Sequence, residues 1–381
     1  MDARSHERPR QAHHGLVSVA IAALAMAAAS LFAAVSGGLL RACPATAPAG
    51  LPGWLVAGAS SHAALMICGF LGTVIAAERA VAIGRAWGWL APVASALGAA
   101  LLIAGDAGRG RVALLLGAIA FLAVNLEIVR RQPAGHTALL AIAAVAWLVG
   151  DAMFVADAGA PLPWWFAFLV LTVAAERLEM TRLMRRARTT EPQLAVVVLA
   201  LFAGATGASA QGGVAASGDA LFGVGLLLLS AWLFAHDIAG RTIRAEGLGR
   251  YMAVCLLAGY GWLAVSGVGW IGLAAGRPWR DMALHALGLG FVVSMMMAHV
   301  PVILPALTRV RLRFGAFFYV PVALLNASLA IRIGLGLDDP LPRGIGAFLN
   351  AVALLVFIAT MACAAMAWRL ARAGSTQLEM D

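Results

Sequence analysis

Three histidines fall inside long apolar runs of the chain: His62, His285 and His299. An ionisable side chain at bilayer depth is costly, so each is a candidate for chemistry. A neutral imidazole binds iron, carries protons or accepts a hydrogen bond. Iron held between two helices takes one imidazole from each side and leaves room for a flat porphyrin. Around His62 the helical spacing offers Met66, Gly69 and Thr73; around His285 it offers Gly288, Val292 and Met295. Small residues there admit a flat cofactor, and they equally allow close helix packing without one. Arg277 and Arg280, just before His285, carry the charge to pair with haem propionates or to anchor a helix end at the interface.

Depth separates the three. Counted inward from Trp54 and Arg280, His62 and His285 lie roughly 12 and 8 Å below the outer boundary, close enough in level to face one another. His299 lies roughly 21 Å farther along the same helix as His285, beyond the first shell of any iron the other two share. Its neighbours point to a different role. His299-Val300-Pro301-Val302-Ile303-Leu304-Pro305 places two prolines where they interrupt helical pairing, either as a simple kink or as a polar pocket. Glu176 and Glu179, on one helix face with Arg182 in reach of both, offer a charged network that could join His299 in a proton or solute route. The Met295-Met296-Met297 run points around its helix, which favours packing over a soft-metal site.

These residues need membrane helices to position them. Of 381 residues 62% are hydrophobic and only 12% charged, a balance that places the chain in lipid rather than water. Apolar runs predict twelve spans near 15–40, 54–78, 87–105, 111–129, 137–156, 162–180, 192–211, 219–239, 251–274, 281–304, 314–336 and 345–370. The membrane domain thus covers 15–370, with a polar N-terminal segment 1–14 and a tail 371–381. The first run is longer than a secretory signal core and reads as an anchor. The net charge of +9 comes from 27 arginines and no lysine, gathered in short loops, which argues against a nucleic-acid binder. With the N-terminus inside, 20 arginines lie on the inner side and 6 on the outer, while Arg332 lies within a helix. The expected location is therefore a bacterial inner (cytoplasmic) membrane, crossed many times, with both termini cytoplasmic. Cys43, Cys68, Cys255 and Cys363 are far apart and read as small apolar residues.

Helices running inward end in an acid followed by arginine: Glu78-Arg79, Glu127 before Arg130, Glu176-Arg177 and Asp237 before Arg241. The macrodipole and the cytoplasmic orientation favour such ends as anchors. His236 and His136 belong to the same boundaries, with Asp237 a local partner for His236. The first three acids are 49 residues apart, and Val74 to Arg79 resembles Thr172 to Arg177, so three four-helix units are expected within an all-α polytopic fold. Helices 2, 6 and 10 would then be equivalent.

Ser60-Ser61-His62-Ala63-Ala64-Leu65-Met66-Ile67 resembles the histidine-bearing second helix of haem–copper oxidase catalytic subunits, and His285 falls on the tenth of twelve helices, where that superfamily supplies the opposing ligand. The overall build also resembles the NnrS-like membrane proteins, linked to haem, copper and nitric oxide. The resemblance implies a low-spin haem b with His62 and His285 as axial ligands; copper enters through the resemblance alone. The chain departs from oxidases in having no histidine in 162–180 or 192–211 and no second histidine close to His285, so oxygen reduction is not expected. The leading expectation is a haem-binding membrane protein for electron transfer or nitric oxide handling, with the bilayer, the gas or a redox protein as partner. A small-solute or proton-coupled transporter and a non-catalytic assembly protein are the alternatives. No catalytic residue is assigned.

Overall fold

A backbone in hydrocarbon must satisfy its own polar groups, and runs of some twenty apolar residues do so as helices. The computed structural model describes residues 4–42, 50–181, 190–210, 213–308 and 310–378; Cys43, Arg182 and Arg309 lie outside them. Among the described residues there is no strand, and eleven helices are long and apolar enough to cross a membrane. The long helices are α1 (Arg4–Ala42), α2 (His62–Ile83), α3 (Ala86–Ile103), α4 (Ala107–Arg131), α5 (Gly135–Ala156), α6 (Leu162–Met180), α7 (Thr190–Ala208), α8 (Gly213–His236), α9 (Gly247–Ala274), α10 (Arg280–Pro305), α11 (Ala316–Leu335) and α12 (Pro340–Leu378). Of these α6 is the one outside the eleven, because Glu176, Arg177 and Glu179 crowd its last turns. Helix α1 starts as helix at Arg4, within the polar segment, and α12 continues as helix to Leu378.

The chain divides into two compact units, Met1–Ala175 and Glu176–Asp381. In the first, a short helix Gly53–Ser60 precedes α2 and meets α1 backbone to backbone: a Cβ on Gly37 would sit 2.2 Å from the Gly58 carbonyl carbon. Such contacts are what small residues provide where lipid gives helices no hydrophobic reason to associate. Within α2, residues Leu65–Gly72 form a π-helix. Its wider turn is accommodated by α1, whose Ser30 hydroxyl donates to Leu65 O at 2.9 Å. The core is aromatic: Trp147 stacks on Phe168 at 4.7 Å and meets Phe121 at 5.0 Å.

In the second unit α8 lies between α7 and α9, with Gly223 packed on the Gly267 carbonyl. Helix α10 contains a second eight-residue π segment, Ala286–Val293, and α11 ends in a third, Ala330–Leu335. The prolines of α10 do not end it, since helix continues through Pro301 and Pro305 to Thr308. Pro301 has no N–H for the carbonyl four residues back. That carbonyl, Met297 O, instead accepts the Tyr251 hydroxyl of α9 at 3.2 Å.

The π segments of α2 and α10 are alike in place and in residues, though the chain divides into two compact units rather than the three expected. Gly69-Phe70 and Gly290-Phe291 occupy matching places in the π stretches of α2 and α10, and each stretch ends at a hydroxyl residue, Thr73 and Ser294. Helix α6, the third member of the expected set, is α-helical from Leu162 to Met180.

Candidate functional site

His62 opens α2, directly after a break at Ser61, where φ is −104° and ψ is 17°. Its Nδ1 lies 2.7 Å from Ala34 O of α1. A carbonyl only accepts, so in the neutral ring Nδ1 carries the proton and Nε2 the lone pair. Gly38 seats the ring, since a Cβ there would come within 2.7 Å of Cε1. Of the residues the sequence offered as space for a flat group, Gly69 is taken up by packing: its Cβ would lie 2.4 Å from Ser30 Oγ and 2.9 Å from Ala99 Cβ.

His285, in the second unit, stands one residue before the π segment of α10. Its Nδ1 is 3.1 Å from Asp281 O and 3.0 Å from Asp281 Oδ1. The Asp281 carboxylate is gripped by both arms of Arg332, with Nε donating to Oδ2 at 2.8 Å and Nη2 to Oδ1 at 2.7 Å. Two parallel bonds of this kind give both strength and a fixed plane. Arg332 Nη1 donates to Asn350 Oδ1 at 3.3 Å, and Asn350 in turn donates to Ser328 Oγ at 2.6 Å. Arg332 Nη2 lies 3.1 Å from both imidazole nitrogens of His285. In the ring plane that position would collide with the carbon between them, so the guanidinium stands over the ring face.

His299 is held differently. Its Nδ1 meets Met295 O at 2.6 Å, and its Nε2 accepts a hydrogen bond from Arg177. Arg177 is almost fully buried, and its Nε faces Asp237 Oδ2 at 3.8 Å. The other Asp237 oxygen accepts the Ala239 N–H at 2.6 Å. Arg177 Nε, Asp237 Oδ2 and Tyr260 OH are buried polar atoms without a hydrogen-bond partner among the described residues.

Arg177 reaches His299, and the adjacent Glu176 and Glu179 are half-buried. Asp237 turns to Arg177 and Ala239 rather than to His236, which stacks on Trp232 and bonds its carbonyl at 2.9 Å. Arg277 and Arg280 are exposed, and the arginine that meets His285 is Arg332. Two of the acid–arginine ends pair locally: Glu78 with Arg79 at 2.9 Å, and Glu127 with Arg130 and Arg131 at 2.8 and 2.9 Å. Among the described residues no group of three His, Cys, Asp or Glu side chains gathers as a metal cluster.

Asp281 and Asp151 join the site residues without a place among the sequence candidates, and Arg332 enters as a partner of Asp281 rather than as a lone intrahelical charge. Asp281 stands four residues before His285, the spacing that stacks two side chains on one helix face. Arg332 is a lone charge in an apolar span, and Asp151 is a lone acid in another, both visible by the rule that singled out the histidines. Cys68 was read as apolar, yet its thiol donates to Asp151 Oδ1 at 3.3 Å.

None of the curated proteins compared with the chain matches it. The family model described as "Domain of unknown function (DUF8744)" matches residues 20–366, nearly the whole membrane-spanning length, and the chain belongs to that family.

Proposed function

We propose that the chain is a haem-binding integral membrane protein of electron transfer or nitric oxide handling, with His62 and His285 as its iron-ligating imidazoles. The observation that carries this reading is that each histidine stands close before a π segment, His62 by three residues and His285 by one, and each has Nδ1 anchored to a main-chain carbonyl, Ala34 O or Asp281 O. Histidines that ligate metals commonly donate the other ring N–H to a carbonyl or carboxylate, which fixes the tautomer and raises the basicity of the ligating nitrogen. The donor set thus fits iron at Nε2. π-Bulges are themselves frequent at functional sites in membrane and soluble helices.

Haem b, when bound, supplies one-electron chemistry and an affinity for diatomic gases. The chain's own residues orient the ligands and set the local field. Asp281 holds the His285 ring, and Arg332 fixes Asp281 and places a positive charge over the imidazole face. His299 Nε2 accepts a hydrogen bond from Arg177, and Arg332 Nη2 stands 3.1 Å from His285 Nε2, so iron at either nitrogen would replace an arginine contact.

Purified protein expressed in a haem-sufficient host is expected to show a reduced low-spin b-type spectrum. His62→Ala and His285→Ala should each lower the haem bound per chain, whereas His299→Ala should leave it unchanged. A folded, colourless wild type would sink the proposal.

A second reading has its own observation. The buried Arg177–His299–Asp237 cluster with its orphaned polar atoms has the makings of a proton or small-solute route, as intramembrane charges usually do. It favours a transporter, and solute-dependent or proton-dependent flux in vesicles, abolished by Asp237→Asn, is the measurement that would support it.

A further inference from the structure

Asp151 of α5 is fully buried, with 0% of its surface exposed, in a span of apolar residues. Its Oδ1 is held from two sides, by the Trp165 indole at 2.9 Å and the Cys68 thiol at 3.3 Å. Its Oδ2 has no hydrogen-bond partner among the described residues, and neither has the neighbouring Trp147 Nε1. The surroundings are built to hold this arrangement. Gly150 seats the Trp165 ring, where a Cβ would come within 2.5 Å of Cδ1, and Gly72 of the π segment seats Trp147, where a Cβ would come within 2.6 Å of Cζ2.

The groups that face Asp151 are thus the Cys68 thiol of α2, the Trp165 indole of α6 and the Trp147 indole of its own helix, none of them charged. Among the described residues no arginine or histidine forms an ion pair with it. An ionised carboxylate removed from water loses several kcal/mol of hydration, roughly, unless a cation or a proton compensates it. One carboxylate and one thiol are too few donors for a resident metal ion, and no third His, Cys, Asp or Glu gathers with them. A proton is the compensation that this site can take.

We propose that Asp151 is a proton-binding site of the first unit. Oδ1 is fixed by Cys68 and Trp165, while Oδ2 takes up a proton from hydronium, leaving water, and returns it in the reverse step. The site has a short way to solvent. Asp151 stands five residues before the end of α5 at Ala156, about 7 Å of helical rise, and residues 157–160 beyond it are exposed. The aqueous face at that loop is the side with which the proton exchanges. The site is independent of haem, since none of its residues is one of the proposed iron ligands.

Infrared difference spectroscopy on the full chain in lipid nanodiscs tests this. A carboxylic-acid C=O band that bleaches reversibly as pH is raised and shifts down in D2O is expected. It should be absent from Asp151→Asn and retained in Asp157→Asn, which removes the exposed acid of the adjoining loop. A folded Asp151→Asn protein that keeps every pH-dependent acid band overturns the proposal. Should that variant not fold, Cys68→Ser replaces the thiol with a stronger donor to Oδ1 and should move the band, and an unmoved band overturns the proposal as well.

Discussion

The Tyr251 hydroxyl donates to Met297 O, the carbonyl that Pro301 leaves without its helical partner. Helix α10 therefore carries a proline without exposing an unpaired carbonyl. Tyr251→Phe keeps the ring and removes the donor, so the folded protein should lose about 1–2 kcal/mol, the usual cost of leaving a buried acceptor unmade. Pro301→Ala restores an N–H at the right place. In the double variant the Tyr251→Phe penalty should fall to a few tenths, about 0.5 kcal/mol or less, as a double-mutant cycle by thermal unfolding in detergent would show.

Arg332 and Asp281 form a partly dehydrated pair, with 9% and 27% of their side chains exposed. Arg332→Ala strands the carboxylate, so a loss of about 3 kcal/mol is expected. Asp281→Asn should be the milder change only if Arg332 keeps Asn350 as its acceptor. Arg332→Lys should not rescue, because an ammonium cannot make both bonds of the fork at once. Comparative unfolding of the three variants checks the order.

Gly69 is a packing glycine. A methyl there meets Ser30 Oγ at 2.4 Å and Ala99 Cβ at 2.9 Å, so Gly69→Ala should destabilise the first unit by about 1–3 kcal/mol. Ser30→Gly alongside it removes the nearer clash but also the bond to Leu65 O, so only partial recovery is expected. The shift in unfolding midpoint across the three variants reads this out.

Arginine placement orients the chain, and we propose that both termini face the cytoplasm of a bacterial inner membrane. Reporter fusions after Arg186 and Arg244 should then report the cytoplasm, and fusions near Gly108 and Asp339 the outside. Reversed signals would reject this orientation.

The helices were legible because a twenty-residue apolar run has few other fates in lipid, and the boundaries of α4, α5 and α9 fall within a few residues of those read from hydropathy. Their interior was not. Nothing in Leu65-Met66-Ile67-Cys68-Gly69-Phe70-Leu71-Gly72 marks a π-helix, because the extra residue per turn is decided by what α1 and α5 offer it, Ser30 for a carbonyl and Trp147 against a glycine. His62, His285 and His299 stand out by cost alone, but their ring hydrogen bonds involve Ala34, Asp281 and Arg177, of which the first and last are far away in sequence. Arg332 showed as a lone charge, whereas its fork to Asp281 crosses 51 positions that no local pattern spans. Asp151 is readable as a lone acid in an apolar span, but its partner Cys68 stands 83 positions away, which no local pattern spans.

The π segments also act as phase shifters. In an α-helix each residue turns the chain by about 100° and in a π turn by less, so relaxing all eight residues of Leu65–Gly72 to α-helix would swing everything on its N-terminal side by about 100° relative to Thr73 and beyond, while deleting one of them as well would nearly restore the original direction. Without the deletion His62 would leave Ala34, and the break at Ser61 would point elsewhere. The same relaxation in Ala286–Val293 would carry His285 and Asp281 away from Arg332. The one residue that each π stretch absorbs is therefore part of what sets the direction in which the histidines point.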